Sequence, residues 1–411
     1  MEQTEQTFLQ QRSLRIAHIE PSVTLAVSTK AKMMQKEGIR VVDLSAGETD
    51  FPPPTGAIKA VQAVLKGKHL LARYTPTLGI PELRETIAKQ YSKKTKETKA
   101  ISQNNIAVSA GAKQALYNSI AVLCNPNDEV LIPAPIWITY AEQVKLCDGK
   151  PVFCKTEEES FAVKADLLRE RISSKTKAII LNSPCNPTGA IIPQSELKRI
   201  ADVALEHKLW LISDEVYEPF VYESHEGGFS SVAGLGQEVF EKSIIISAAS
   251  KMFSMTGWRL GYAVAPEPLI KAMDALQGHT TSNACSLAQY AVLGALQDAR
   301  TKKYVQTMRN EFKKRREVMI KRLNQMDLSC QKPGGAFFAF ADITRTHLGS
   351  VVLCKELLQN AHVACVPGKA FGSDKHIRLS YATSMDEIKK GMDQIEKWLN
   401  GGVKGERSPR H

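Results

Sequence analysis

Short apolar runs bounded by turn residues recur through the first two-thirds of the chain: Glu129-Val130-Leu131-Ile132, Ala178-Ile179-Ile180-Leu181, Leu209-Trp210-Leu211-Ile212 and Ser243-Ile244-Ile245-Ile246. Each is too short for a helix and rich in branched side chains, so each predicts a fully buried strand. Between them apolar residues return at helical spacing. Leu83, Ile87 and Tyr91 recur four apart behind Pro81, which opens a helix at its first position. Leu116, Ile120 and Leu123 line one side of a second helix beginning near Gly111, and a third runs from Leu197 to His207. Alternating strands and helices predict an α/β fold, a mainly parallel central sheet covered on both faces, with ligands gathering where strands end. Beyond about residue 290 the texture changes to long charged helical stretches through Lys302 to Asn324 and a short α/β tail, which predicts a second, smaller domain.

Composition narrows the class without choosing a function. With 411 residues, 43% hydrophobic and 24% charged, the chain has the make-up of an ordinary globular protein long enough for two domains. No run approaches the roughly 18 apolar residues of a membrane helix. The start, Met1-Glu2-Gln3-Thr4-Glu5-Gln6, lacks the basic and apolar regions of a secretory signal, so a cytoplasmic location is expected. Eight cysteines form no C-x-x-C pair and have no histidines at zinc-finger spacing, which fits reduced thiols and no metal site. The net charge of +11 raises nucleic-acid binding as an option. However, the densest basic cluster, Ser92 to Lys99, is short and has no interleaved aromatics to stack bases; a solvated loop and no nucleic-acid partner are expected. G-x-G-x-x-G, G-x-S-x-G and H-E-x-x-H are all absent, against nicotinamide enzymes and the common hydrolases.

Three segments at predicted strand ends carry chemistry. In Ser247-Ala248-Ala249-Ser250-Lys251 a lysine follows a buried strand directly, where a charged ammonium is unfavourable unless the amine is neutral or bound as an imine to a carbonyl cofactor. Arg259 follows between Gly257 and Gly261, and its guanidinium suits a phosphate. Asn182-Ser183-Pro184-Cys185-Asn186-Pro187-Thr188-Gly189 and Asp214-Glu215-Val216-Tyr217 follow two further strands. An aspartate there can hold a protonated pyridine nitrogen, while Asn186 and Tyr217 can hydrogen-bond a ring oxygen.

Together these segments resemble a class I aminotransferase of fold type I, most closely the aspartate aminotransferase subgroup of bacteria and plant plastids that includes glutamate/aspartate–prephenate aminotransferases. The resemblance runs from Pro21-Ser22-Val23-Thr24 to His376-Ile377-Arg378-Leu379-Ser380-Tyr381-Ala382-Thr383, through Ser45-Ala46-Gly47-Glu48-Thr49-Asp50-Phe51 and the segment Arg73 to Arg84. It implies a pyridoxal 5'-phosphate enzyme with an N-terminal segment (1–46) joining the small domain, a large cofactor-binding domain (47–295) and a small C-terminal domain (296–411). It implies that Lys251 forms the Schiff base and shuttles the substrate proton, that Asp214 pairs with the pyridine nitrogen, and that Asn186 and Tyr217 contact the ring oxygen. Trp137 would stack on the ring. The amides of Ala112 and Lys113, at a helix start, would hold the phosphate with Arg259. Tyr74 would reach the phosphate of a neighbouring subunit, which implies a homodimer. Arg378 and the Gly47 amide would hold the substrate α-carboxylate, Trp137 and Asn186 would also border the substrate, Lys113 would reach a distal carboxylate, and Thr24 is associated with prephenate. The bland alternatives are a solvated lysine and a helix-cap hydroxyl for the last two.

The implied reaction is a ping-pong transfer between L-aspartate or another acidic amino acid and 2-oxoglutarate, with an aromatic or other amino-acid aminotransferase of the same fold as the alternative. Two positions depart from the family pattern. Ala248 stands where many relatives have a phosphate-contacting serine, a loss of about 1 kcal/mol, and Thr49 stands where proline is usual. A regulator using this fold as a ligand sensor would need a DNA-binding domain ahead of it. Only about forty residues precede Gly47, so no such domain is expected.

Overall fold

The computed structural model describes residues 13–21, 23–67, 73–95, 101–223 and 229–401. The opening hexapeptide and residues 96–99 of the basic cluster lie outside them. Each predicted strand is present in a seven-stranded sheet of order β2-β8-β7-β6-β5-β3-β4. Its members are β2 (Ile106–Ser109), β3 (Glu129–Ala134), β4 (Lys150–Lys155), β5 (Thr176–Asn182), β6 (Trp210–Asp214), β7 (Ser243–Ala248) and β8 (Gly261–Val264). Side chains alternate across a strand, so each run feeds two cores. Leu131, Ile179, Leu181, Leu211 and Ile245 face one side, with Leu83, Ile87 and Tyr91. Val130, Ile132, Ile180, Ile212, Ile244 and Ile246 face the other, with Leu116 and Ile120. Burial on both faces is why these segments read as continuous apolar runs.

The sheet is mainly parallel, with one exception. Strand β8 runs antiparallel to both β2 and β7. Its residues, Gly261-Tyr262-Ala263-Val264, include a single β-branched side chain and do not stand out as an apolar run, and the sequence reading placed no strand there. Its direction has a consequence for the site: β8 begins at the edge where β2 and β7 end, so Arg259, two residues ahead of it, is delivered to that edge.

The C-terminal region builds on a three-stranded antiparallel sheet, β11 (Val366–Pro367), β12 (His376–Ser380) and β9 (Phe338–Asp342), with β12 central. The helices Arg300–Gln325, Ser350–Asn360 and Met385–Asn400 pack with it around Phe312, Phe337, Leu357, Ile388 and Met392. The N-terminal chain joins this region. β1 (Val42–Asp43) pairs in parallel with β10 (Val363–Ala364), and the Val23–Lys36 helix packs Val27, Ala31 and Met34 against Leu358 and Ala364. Beyond β1 the Leu44 carbonyl accepts from the Ser380 amide, which carries Ser45 and Gly47 across to the ends of the large sheet. Among the described residues no helix is long and apolar enough to cross a membrane, and no cluster of His, Cys, Asp and Glu is arranged to hold a metal.

Candidate active site

The carboxyl ends of β5, β6 and β7 stand in register, Asn182 opposite Asp214 and Asp214 opposite Ile246. The loops leaving them therefore open side by side. A cavity of about 460 Å³ lies over these ends and is lined by Asn186, Asp214, Tyr217, Lys251, Arg259 and Arg378. Gly47, Ala112, Lys113, Trp137 and Thr24 also line it. The structure thus brings together every predicted site residue except Tyr74, which stands 91% exposed on the surface.

Lys251 sits within the short helical turn Ala249–Met252 that caps β7. Its Nζ donates to the Gly47 carbonyl at 2.5 Å. Burial lowers its pKa to about 8; Glu48 opposes that shift, Arg259 and Arg378 add to it, and Asp214 opposes it. An amine in this range is a usable nucleophile and proton carrier near neutral pH.

Asp214 is 2% exposed. Burial pushes its carboxyl up to about 6, although three influences pull the other way. Tyr140 donates its hydroxyl to Oδ2 at 2.6 Å, the Val216 amide donates to Oδ1 at 3.2 Å, and the charge of Lys251 favours the carboxylate. A buried acid held near its ionisation point is suited to a cationic partner, as a protonated ring nitrogen would be. Tyr140 was not picked out from sequence. The available signal was its place three residues after Trp137, whose ring it meets edge-on at 5.5 Å. Burial likewise pushes the Tyr217 phenol up, so it is a neutral donor.

The opposite end gathers groups that could hold an anion. The Ala112–Leu123 helix starts at Gly111 with no side-chain cap, leaving its first amides available to a ligand. Gly111 has φ +87, and a Cβ there would lie 2.5 Å from Nη2 of Arg259. A Cβ on Gly261 would lie 2.3 Å from the Ala112 nitrogen. Two glycines therefore let the helix start, strand β8 and the guanidinium converge. Arg259 itself has φ +51, and its Nη1 donates to the Thr256 carbonyl at 2.9 Å, which fixes the fork. Ala248 lines the same cavity without a hydroxyl, as does Ser250, which has one. Thr49, the other departure, donates to the Ser254 hydroxyl at 2.8 Å.

Arg378, on central strand β12, is 3% exposed and reaches back between the two regions. It donates through Nη1 to Asn186 Oδ1 at 3.0 Å and through Nη2 to the Ser45 carbonyl at 2.8 Å, with Phe338 and Phe371 rings at 4.3 and 5.1 Å. Its Nε is buried without a partner. Burial lowers its pKa to about 10. A buried guanidinium with a spare donor asks for an anionic acceptor, and a carboxylate meets that need. With Asn186 Oδ1 accepting from the guanidinium, the amide's NH2 remains for a ligand oxygen.

The remaining predicted groups differ in depth. The Lys113 ammonium sits 4.9 Å from the centre of the Trp137 ring. The residue as a whole is exposed, yet desolvation, then Arg259, lowers its pKa. Thr24 stands in the first turn of the Val23–Lys36 helix. That helix also presents Ser28 and Lys32 to the cavity, two residues that sequence reasoning did not single out.

A sequence model of the family described as "Aminotransferase class I and II" matches residues 39–395. A probable aspartate/prephenate aminotransferase of Aquifex aeolicus is 40% identical over 391 residues, covering 94% of this chain and 98% of that protein. An aspartate aminotransferase of Bacillus subtilis is 38% identical over 392 residues, with the same coverage of each. Among solved structures, an aspartate aminotransferase of Thermus thermophilus with maleate superposes with a TM-score of 0.88 at 35% identity, over 94% of this chain and 99% of that one.

Proposed function

The chain belongs to the class I and II aminotransferases, and from that premise we propose that it binds pyridoxal 5'-phosphate in this cavity and transfers an amino group between L-aspartate, or another acidic amino acid, and 2-oxoglutarate. The observation that carries the reading is Lys251, a half-buried lysine whose pKa is lowered by desolvation, in the same cavity as Asp214 and Arg378. When bound, the cofactor supplies an aldehyde carbon that condenses with amines and a ring that accepts the electron pair released at the substrate Cα.

The chain's own residues do the rest. Asp214, charged and steadied by Tyr140, holds a proton on the ring nitrogen. Asn186 and Tyr217 donate to the ring oxygen, and Trp137 covers one ring face. Arg259 and the amides of Ala112 and Lys113 hold the phosphate dianion, two positive influences on one anion. Arg378, with the Gly47 amide, grips the α-carboxylate, which orients the Cα–H bond toward Lys251. The neutral amine of Lys251 would take that proton and return it on the cofactor side. The first product would leave before the second substrate binds, so the kinetics would be ping-pong.

Lys113 supports an acidic substrate, because its ammonium lines the cavity with no carboxylate partner among the described residues. Thr24, on the same cavity, is our candidate contact for prephenate. Tyr74, exposed on a single chain, fits a contact with a second subunit's phosphate and so a homodimer. We further propose the division into 1–46, 47–295 and 296–411, and a reducing, cytoplasm-like compartment, in keeping with eight unbonded cysteines. The test is kcat/KM for aspartate, glutamate, phenylalanine and alanine with 2-oxoglutarate, in the wild type and Lys113→Ala. Aspartate and glutamate should lead, and the variant should lose roughly tenfold or more on them, as for a charge-assisted contact. Phenylalanine outperforming aspartate would move the enzyme to the aromatic class, and an unchanged aspartate value in Lys113→Ala would remove that lysine from recognition.

A further inference from the structure

We propose that Lys32 is a specificity-determining residue, a second cation that acts with Lys113 on the side-chain carboxylate of a dicarboxylic substrate. The inference rests on the acidic-substrate reading above and adds a residue to it.

The Val23–Lys36 helix is held along one face. Val27, Ala31 and Met34 form its core-facing stripe against Leu358 and Ala364. Residues four apart share a helical face, so anchoring that stripe fixes the neighbouring one, Thr24, Ser28 and Lys32. All three line the cavity. At 1.5 Å per residue the stripe covers about 12 Å, more than the length of an amino-acid substrate. A polar stripe on a half-buried helix normally meets bulk water. Here it meets a cavity that already carries an α-carboxylate anchor.

Charge makes the second half of the case. The cavity is lined by Lys32, Lys113, Lys251, Arg259 and Arg378 against only Glu48 and Asp214. Three of the cations are engaged: Arg378 with Asn186 and Ser45, Lys251 with Gly47, and Arg259 with Thr256. Lys113 lies over Trp137. Neither Lys113 nor Lys32 forms an ion pair with any described residue. A neutral amino acid brings one carboxylate, which Arg378 satisfies. Aspartate, glutamate and 2-oxoglutarate each bring a second, and two unpaired lysines on separate helices are positioned to receive it. Both lysines are exposed, so the contact discriminates by a modest factor and weakens with salt.

The experiment uses the pyridoxal-phosphate-loaded enzyme with Lys32→Ala and Lys32→Gln. Two readouts are taken: kcat/KM for aspartate and for phenylalanine, and the dissociation constant of succinate, an unreactive dicarboxylate, against that of butyrate, by calorimetry. Both variants should lose about fivefold on aspartate and on succinate, with phenylalanine and butyrate changed less than about twofold. About 0.5 M KCl should shrink the wild-type preference for succinate over butyrate more than that of the variants. A wild type that favours dicarboxylates, with variants that keep the full preference, would overturn the role of Lys32 alone. A wild type with no such preference would overturn the acidic-substrate reading and the role of Lys32 with it. Unchanged thermal unfolding of the variants separates recognition from folding.

Discussion

Asp214 is held near pH 6 by burial, with Tyr140 and the Val216 amide pulling it down and the low dielectric pushing it up. A carboxyl whose pKa rises from 3.8 in the unfolded chain to about 6 in the fold binds its proton more tightly when folded. Its contribution to stability is full below about pH 4 and is lost as pH rises through 6. At neutral pH the cofactor-free protein therefore keeps an ionised carboxylate in its interior, a penalty that a protonated ring nitrogen offsets. Scanning calorimetry is predicted to show a larger gain in Tm on adding pyridoxal phosphate at about pH 7.5 than at about pH 5, with Asp214→Asn flattening the difference. Equal gains at both pH values would separate Asp214 from the ring. Tyr140→Phe removes a hydrogen bond that lowers the Asp214 pKa, so that pKa rises further. Its expected signature is about tenfold weaker cofactor binding together with an upward move of the acid limb of the kcat profile. A loss of stability without that shift would make Tyr140 a packing residue only.

At the scale of elements, the proposed phosphate end depends on backbone without side chains. Gly111→Ala puts a methyl at an unfavourable φ and against the Arg259 guanidinium. It should weaken cofactor binding by about tenfold or more, measured by fluorescence titration, while leaving the far-ultraviolet dichroism unchanged. Gly261→Ala meets the Ala112 backbone instead, which cannot give way, so its expected effect is a lower Tm even without cofactor. These glycines also show where sequence reading ends. The strands and helices were legible because burial on both sheet faces forces continuous apolar runs, and helical faces force four-residue spacing. The residues at strand ends were legible because charged and amide groups directly after buried runs need a reason. Strand β8 was not legible, because Gly261 and Ala263 leave it without a run of branched apolar residues, and with it the convergence of Gly111, Gly261 and Arg259. Tyr140 was hidden for a different reason: a buried tyrosine on a helix looks like core until the carboxylate it serves is in view. Lys32 and Ser28 were hidden because their face of the helix is defined by what Val27, Ala31 and Met34 pack against.

Across the whole molecule, the site is closed by parts distant in sequence. Gly47 and Ser45 arrive through the pairing of β1 with β10, Arg378 through β12, and Lys251 through β7. Pieces held by two regions tie substrate binding to their relative position, and in the proposed homodimer Tyr74 would extend the same logic to a second subunit. Tyr74→Phe should weaken cofactor binding several-fold in the proposed homodimer, with sedimentation unchanged; an unaffected cofactor affinity would take Tyr74 out of the proposed phosphate site. The central claim is that Lys251 holds pyridoxal phosphate and uses it on an acidic amino acid. An absorption spectrum of the purified protein loaded with pyridoxal phosphate, before and after L-aspartate and beside Lys251→Ala, tests it most directly. The account predicts a visible cofactor band that aspartate converts to the shorter-wavelength amine form in the wild type. In Lys251→Ala that conversion should be lost or slowed by several orders of magnitude. A protein that stays colourless with added cofactor, or a Lys251→Ala variant that converts aspartate as fast as the wild type, would contradict it.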